Sequence, residues 1–198
     1  MKKGFVILII VIAIIAFILG GIVKRYNRLQ QMSVGVKSAW AQVENVYQTR
    51  YDLVPNLVAT VQGAANFEKS TLTAVTEARA KVGGMVNISK DAVNDPQTFA
   101  KLQQMQDGLG AALQRLMVVV EKYPDLKANQ NFLKLQDELS DTENKIQASR
   151  RFYNGNVRDF NTKIQVFPNN VISGMLKFVK YDFFEASGEE KKNVEVKF

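Results

Sequence analysis

Hydrophobic and polar residues divide this chain into two regimes. Residues 5–23 contain no charged and no strongly polar side chain. At about 1.5 Å per residue they make a helix of about 28 Å, close to the roughly 30 Å hydrocarbon core of a bilayer. Lys2 and Lys3 precede the run, and Lys24, Arg25 and Arg28 follow it. A cleaved signal peptide has a shorter apolar stretch and a small-residue cleavage pattern, so the run is read as a single retained membrane span.

Beyond residue 24 the apolar positions recur at three-four spacing. Leu29, Met32, Val36, Ala39, Val43 and Val46 lead to Arg50, Leu53 and Leu57, and the pattern continues through Val61, Ala64, Phe67, Leu72 and Val75. This spacing predicts one long helix over about 24–82, bent at Pro55 and stopped by Gly83-Gly84. A loop over 83–95 follows. Asp95-Pro96 supplies an N-cap and a first-turn proline for a second helix over about 96–122, with Phe99, Leu102, Met105, Leu109, Leu113, Leu116 and Val120 on one face. After Tyr123-Pro124-Asp125, a third helix is predicted over about 127–165, its seam formed by Phe132, Leu135, Leu139, Thr142, Ile146, Ser149, Tyr153, Phe160 and Ile164. Val171, Ile172, Met175, Leu176 and Val179, with Lys177 and Lys180 opposite, mark a last short amphipathic helix.

The fold class is therefore all-α: one transmembrane helix continuing into an antiparallel bundle of three long helices plus a short C-terminal helix. The expected organisation is an anchor over 1–24, a helical domain over 25–186 and a polar tail over 187–198.

Charge sharpens this picture. The net charge is +7, and residues 1–50 hold seven Lys/Arg against one acid, Glu44, while residues 51–198 hold 19 against 18. Cations beside a bilayer attract anionic headgroups. Nucleic acid binding would require a basic face on the domain itself, so no nucleic-acid partner is expected. The absence of Cys and His removes thiol nucleophiles, the usual zinc sites and the commonest general acid–base group. Three positive charges before the span, counting the α-amino group, against Lys24, Arg25, Arg28 and Lys37 after it give the positive-inside rule little to work on. The short Met-Lys-Lys start resembles a signal-anchor and favours a domain outside the cytoplasm.

Several local patterns share an order and spacing with a known family. They are Tyr26-Asn27, Ala39-Trp40, Arg50-Tyr51-Asp52-Leu53-Val54-Pro55-Asn56-Leu57-Val58 and Ala78-Arg79-Ala80 in the first half. The second half adds Tyr123-Pro124-Asp125-Leu126, Leu135-Gln136-Asp137-Glu138-Leu139, Glu143, Arg150-Arg151-Phe152-Tyr153-Asn154, Asn161, Phe167-Pro168 and Phe183-Phe184-Glu185. In these the chain resembles the LemA family. The resemblance implies a single-pass protein of the bacterial cell membrane with an α-helical domain and no established enzymatic activity. The segment Lys191–Phe198 lacks the proline such members carry near the end.

Arg50 occupies an apolar seam position, as a register-setting ion pair or as a contact to a partner; the structural pair is preferred. Arg79 and Arg150 invite the same two readings, with Glu143, Asp137 and Glu138 as acidic partners. Carboxylates at helical spacing, Glu138, Asp141 and Glu143, read as a solvated face, because a di-iron bundle site needs Glu-x-x-His pairs. No catalytic, cofactor or metal site is expected. The preferred function is a non-enzymatic scaffold or self-associating protein at the membrane surface. The alternative is a lipid-binding or membrane-shaping protein acting through the basic collar Lys24, Arg25 and Arg28. Helix lengths leave the stripe Leu29, Met32, Val36, Trp40, Val43 and Val46 without a covering neighbour, which predicts a homo-oligomer built through it. The bilayer, a second copy and an unidentified membrane protein are the expected partners.

Overall fold

The computed structural model describes residues 2–64, 67–84 and 92–185. Its helices are α1 (Lys2–Gln62), α2 (Lys69–Gly83), α3 (Pro96–Val120), α4 (Pro124–Lys127), α5 (Gln130–Gln165) and α6 (Asn169–Met175). Among the described residues there is no strand. The predicted tail over 187–198, and most of the predicted loop over 83–95, lie outside the described residues.

Contacts divide the chain into two compact units. The first is Met1–Ser38 with Gly155–Lys180, and the second is Ala39–Asn154 with Tyr181–Phe198.

In the second unit the chain reverses one time more than the sequence predicts. The expected continuous helix to residue 82 ends at Gln62, and Gly63 turns the chain. Pro55 sits inside α1 without ending it. α2 then runs back beside α1, so that Arg79 Nε donates to the Tyr51 carbonyl at 3.1 Å. That extra reversal inverts the direction expected of every later helix. α3 begins where Phe99 meets Trp40, with ring centroids 5.5 Å apart. Its far end leads to Tyr123, whose ring lies 4.8 Å from that of Phe67. α5 starts at this same end, capped by Asn129 Oδ1, which accepts from the Asn131 and Phe132 amides. It then returns until Tyr153 reaches Trp40 at 5.7 Å. The core between these helices holds Val54, Leu57, Val61, Val75, Leu109 and Leu116, all nearly fully buried.

This direction overturns the expectation of an uncovered stripe over 29–50. Leu29, Val36, Trp40 and Val43 are buried within the chain itself, and Met32 and Val46 are half-buried. The sequence argument placed the end of the third helix far from residue 40, because it counted one reversal too few. A homo-oligomer assembled through this stripe therefore loses its structural basis.

In the first unit the apolar run of α1 is exposed along its length and suffices to cross a membrane by length and composition. The following turns of α1 pack against the last turns of α5: a Cβ on Gly35 would stand 3.3 Å from Asn156 Oδ1. Val157, Phe160 and Ile164 are buried here. α6 is held inward by Ile172 and by Ser173, whose Oγ donates to the Ile164 carbonyl at 2.8 Å.

Candidate functional site

Three of the charged residues singled out from sequence, Arg50, Glu143 and Arg150, come together in the middle of the second unit. Arg50 lies on the buried seam of α1 and is 2% exposed. Its Nη1 donates to both Glu143 carboxylate oxygens, at 2.9 and 3.2 Å. Its Nη2 donates to the Gln106 carbonyl at 2.8 Å and to the Gln106 side-chain oxygen. One guanidinium thus ties α1 to α3 and α5. Arg150, two turns further along α5, makes the second tie: Nη2 meets Asp107 at 2.7 Å and Nε donates to the Tyr47 hydroxyl at 2.8 Å.

Tyr47 separates the two guanidiniums, with each Arg Cζ 5.5 Å from its ring centroid. Burial pushes its hydroxyl pKa up, against the lowering pull of Arg150 and Arg50. Burial also works against the Arg150 charge, but Tyr47 and Asp107 outweigh it and raise its pKa. At neutral pH the cluster is therefore two Arg–carboxylate pairs around a protonated phenol. Such an arrangement holds helix register. A cavity of about 330 Å³ opens beside it, lined by Arg50, Asp107, Gly110, Gln114, Glu143 and Arg150.

An aromatic cluster adjoins this network. Trp40, Phe99, Tyr153 and Phe184 pack with centroids 4.9 to 5.9 Å apart. Phe184 is fixed by its backbone: its amide donates to Asn154 Oδ1 and its carbonyl accepts from Asn154 Nδ2, both at 2.9 Å. Tyr153 Oη donates to the Asp182 carbonyl at 3.1 Å. Tyr153 and Asn154, paired neighbours in sequence, thus clamp the chain segment 182–184 onto α5.

Arg79 stands apart from these pairs. Its guanidinium lies 3.8 Å from the Tyr51 ring centroid, a cation–π contact, in addition to its bond to the Tyr51 carbonyl. The membrane-proximal Lys24, Arg25 and Arg28 are exposed, and Arg25 donates to the Gly21 carbonyl at 3.1 Å. Among the described residues no group of three His, Cys, Asp or Glu is placed to hold a metal ion.

Sequence reasoning missed Tyr47, Gln106 and Asp107. The available signal was Gly110, inside a helix where glycine costs about 1 kcal/mol relative to alanine. A Cβ there would stand 3.3 Å from Arg50 Nη1.

Arg50, Glu143, Arg150, Tyr153, Asn154 and Phe184, scattered along the sequence, thus form one contiguous interior. A family model described as the LemA family matches residues 39–198. The chain belongs to the LemA family. It is 28% identical over 196 residues to Protein LemA of Metamycoplasma hominis, covering 98% of this chain and 84% of that protein. It is 26% identical over 190 residues to Magnetosome protein MamQ 2 of Paramagnetospirillum magneticum, covering 88% of this chain and 70% of the relative. Magnetosome protein MamQ of Magnetospirillum gryphiswaldense is similar at 24% over 189 residues, covering 88% and 69%. With its apolar N-terminal helix, this chain is a membrane-associated member of that family.

Proposed function

We propose that this LemA-family protein acts as a non-enzymatic scaffold: a helical body held at a bacterial membrane surface for other proteins to bind. One observation carries the reading. Two arginines of the family pattern are spent on carboxylates inside the bundle, Arg50 on Glu143 and Arg150 on Asp107, and their geometry locks three helices together. A buried ionic network of this kind serves conformational specificity, which suits a body whose shape is its function. Self-association, where the scaffold uses it, runs through a surface other than the buried stripe over 29–50.

The test is to extract the full chain from its native membrane in polymer-bounded lipid discs and measure the assembly. A scaffold runs as a defined, stoichiometric complex. That complex persists when Glu143→Gln removes one charge from the network and the fold is retained. A lone monomer refutes the scaffold. So does a folded Glu143→Gln protein that keeps its complex yet loses its cellular role, because the carboxylate itself would then be doing chemistry.

A further inference from the structure

The first unit is far more basic than the second, and the imbalance is not confined to the collar of α1. Met1–Ser38 with Gly155–Lys180 contains ten Lys/Arg and a single acid, Asp159, a charge of +9, of which Lys2 and Lys3 lie before the apolar run and +7 remains on its collar side. The second unit contains 16 Lys/Arg and 18 acids, −2, and the two make up the total of +7. Asp159 is itself matched by Arg158 at 3.4 Å. Six of the unit's cations, Lys24, Arg25, Arg28, Lys163, Lys177 and Lys180, belong to its described side chains near α6 or at the end of the apolar run.

The same unit carries an exposed apolar patch. α6 and its flanks are pinned inward by Ile172, Ser173 and Phe178, the last with its ring 6.2 Å from both Tyr26 and Phe160. That attachment leaves Phe167, Val171, Met175, Leu176 and Val179 between 45% and 81% exposed. A cluster of this kind in water is unfavourable unless something covers it. The covering surface is identified by continuity. Lys24, Arg25, Arg28 and Leu29, the residues that end the membrane span, line a cavity of about 360 Å³ together with Lys163 and Phe167. The patch therefore begins where the span leaves the bilayer.

A backbone detail points the same way. α6 ends in a Schellman motif: the Phe178 amide donates to the Ser173 carbonyl at 3.0 Å and the Lys177 amide to the Gly174 carbonyl. The left-handed position of that motif is usually glycine. Here it is Lys177, at φ 56°. A cation therefore occupies a backbone position that glycine would hold with less strain.

We propose that residues 166–180 form a second membrane contact, docking on an anionic phospholipid bilayer beside the span. Phe167, Val171, Met175, Leu176 and Val179 enter the interfacial layer, and Lys24, Arg25, Arg28, Lys163 and Lys177 receive lipid phosphates. The contact would fix the first unit against the bilayer instead of leaving it on a swivel. It does not depend on the scaffold role.

The sequence contains no cysteine, so one introduced thiol takes one label. The full chain carries a polarity-sensitive fluorophore at Val171→Cys, at Met175→Cys or, as a control in the second unit, at the exposed Val118→Cys. Vesicles are phosphatidylcholine alone or with about 30 mol % phosphatidylglycerol, chosen to give a clear surface potential. In the anionic vesicles the labels at 171 and 175 shift to the blue, escape aqueous iodide and are quenched by doxyl lipid, while the label at 118 stays open to iodide. The preference for phosphatidylglycerol falls about fivefold for each cation removed by Arg28→Gln or Lys163→Gln. Lys177→Gly lowers it likewise while relieving the backbone, so its effect does not arise from misfolding. Labels at 171 and 175 as open to iodide as the one at 118 overturn the proposal. So does equal protection in pure phosphatidylcholine. So does protection that rises with protein-to-lipid ratio and vanishes in discs holding one copy, since a second copy would then be the occupant.

Discussion

Arg50 is the residue whose replacement best tests whether the network is structural. Truncation to alanine removes the guanidinium from a site only 2% exposed, leaving Gln106 buried without its donor. Breaking one half of a buried pair costs about 3–5 kcal/mol. The Glu143 side chain is 36% exposed, so water can reach the stranded carboxylate, which places Arg50→Ala near the lower end of that range. Arg50→Leu fills part of the vacated volume and should cost about 2 kcal/mol, mostly the unsatisfied Gln106 oxygen. It also removes Arg50 Nε, a buried nitrogen that makes no hydrogen bond to the described residues. Arg50→Glu sets a second carboxylate against Glu143 in a dry site and should cost more than about 5 kcal/mol. The expected order of stability is Leu, then Ala, then Glu.

The assay is built into the chain. Trp40 is its single tryptophan and is 2% exposed in the aromatic cluster of the same unit. Its fluorescence follows unfolding of the full chain in detergent, whatever the membrane helix does. For a unit of this size each kcal/mol shifts the midpoint by about 2–4 °C, so Arg50→Ala should melt about 10 °C below wild type. Adding Glu143→Gln to Arg50→Leu should recover about 1 kcal/mol, because it discharges the stranded acid. Wild-type melting of Arg50→Glu would refute the buried-pair reading and place this arginine on a working surface.

Two further outcomes follow from the same interior. Gly110→Ala gains about 1 kcal/mol of helix propensity but sets its Cβ 3.3 Å from Arg50 Nη1, so it should be near neutral or destabilising in wild type and turn stabilising in the Arg50→Leu background, read by denaturant midpoint. Burial raises the pKa of Tyr47, and of Tyr153 with help from Asp182 and Tyr181, above the ordinary tyrosine value of about 10. Their contribution is full below about pH 10 and is lost as pH rises above it. The Trp40 midpoint should therefore fall in alkali, and fall less steeply in Tyr47→Phe and Tyr153→Phe, each compared with its own value at pH 8.

The sequence made the element types and buried seams plain, because helical periodicity is a local signal. Phe99, Leu109, Leu113, Leu116, Phe132, Ile146 and Tyr153 all lie on the buried side of the helices that their spacing predicts. Direction was the failure. Gly63 was the only punctuation near the break, and the apolar spacing carries on across it through Phe67, Leu72 and Val75, since α2 needs a buried stripe just as α1 does. Periodicity reports that a face is buried, not against which neighbour. One unseen reversal therefore merged α1 with α2, left the later long helices correctly placed in sequence but wrongly oriented in space, and turned a covered stripe into an apparent oligomer interface.

The same limit explains what could and could not be seen of the charged cluster. A basic residue on an apolar seam is conspicuous, so Arg50 stood out. Glu143 was among the acidic partners the sequence offered, but Gln106, and the Asp107 that pairs with Arg150, are ordinary polar residues of α3 until α1 and α5 are laid beside them. Charge partition was hidden more deeply. A split at residue 50 finds an excess of six, but the first unit reaches +9 only when Lys163, Lys177, Lys180 and Arg158, more than a hundred residues downstream, are folded back beside the collar. Net charge by sequence window measures a chain, whereas the potential that a bilayer meets belongs to a folded unit. In this protein the two differ because α5 returns its last turns to the part of α1 that follows the apolar run, which is also why a short helix near the C-terminus becomes a neighbour of the end of the membrane span.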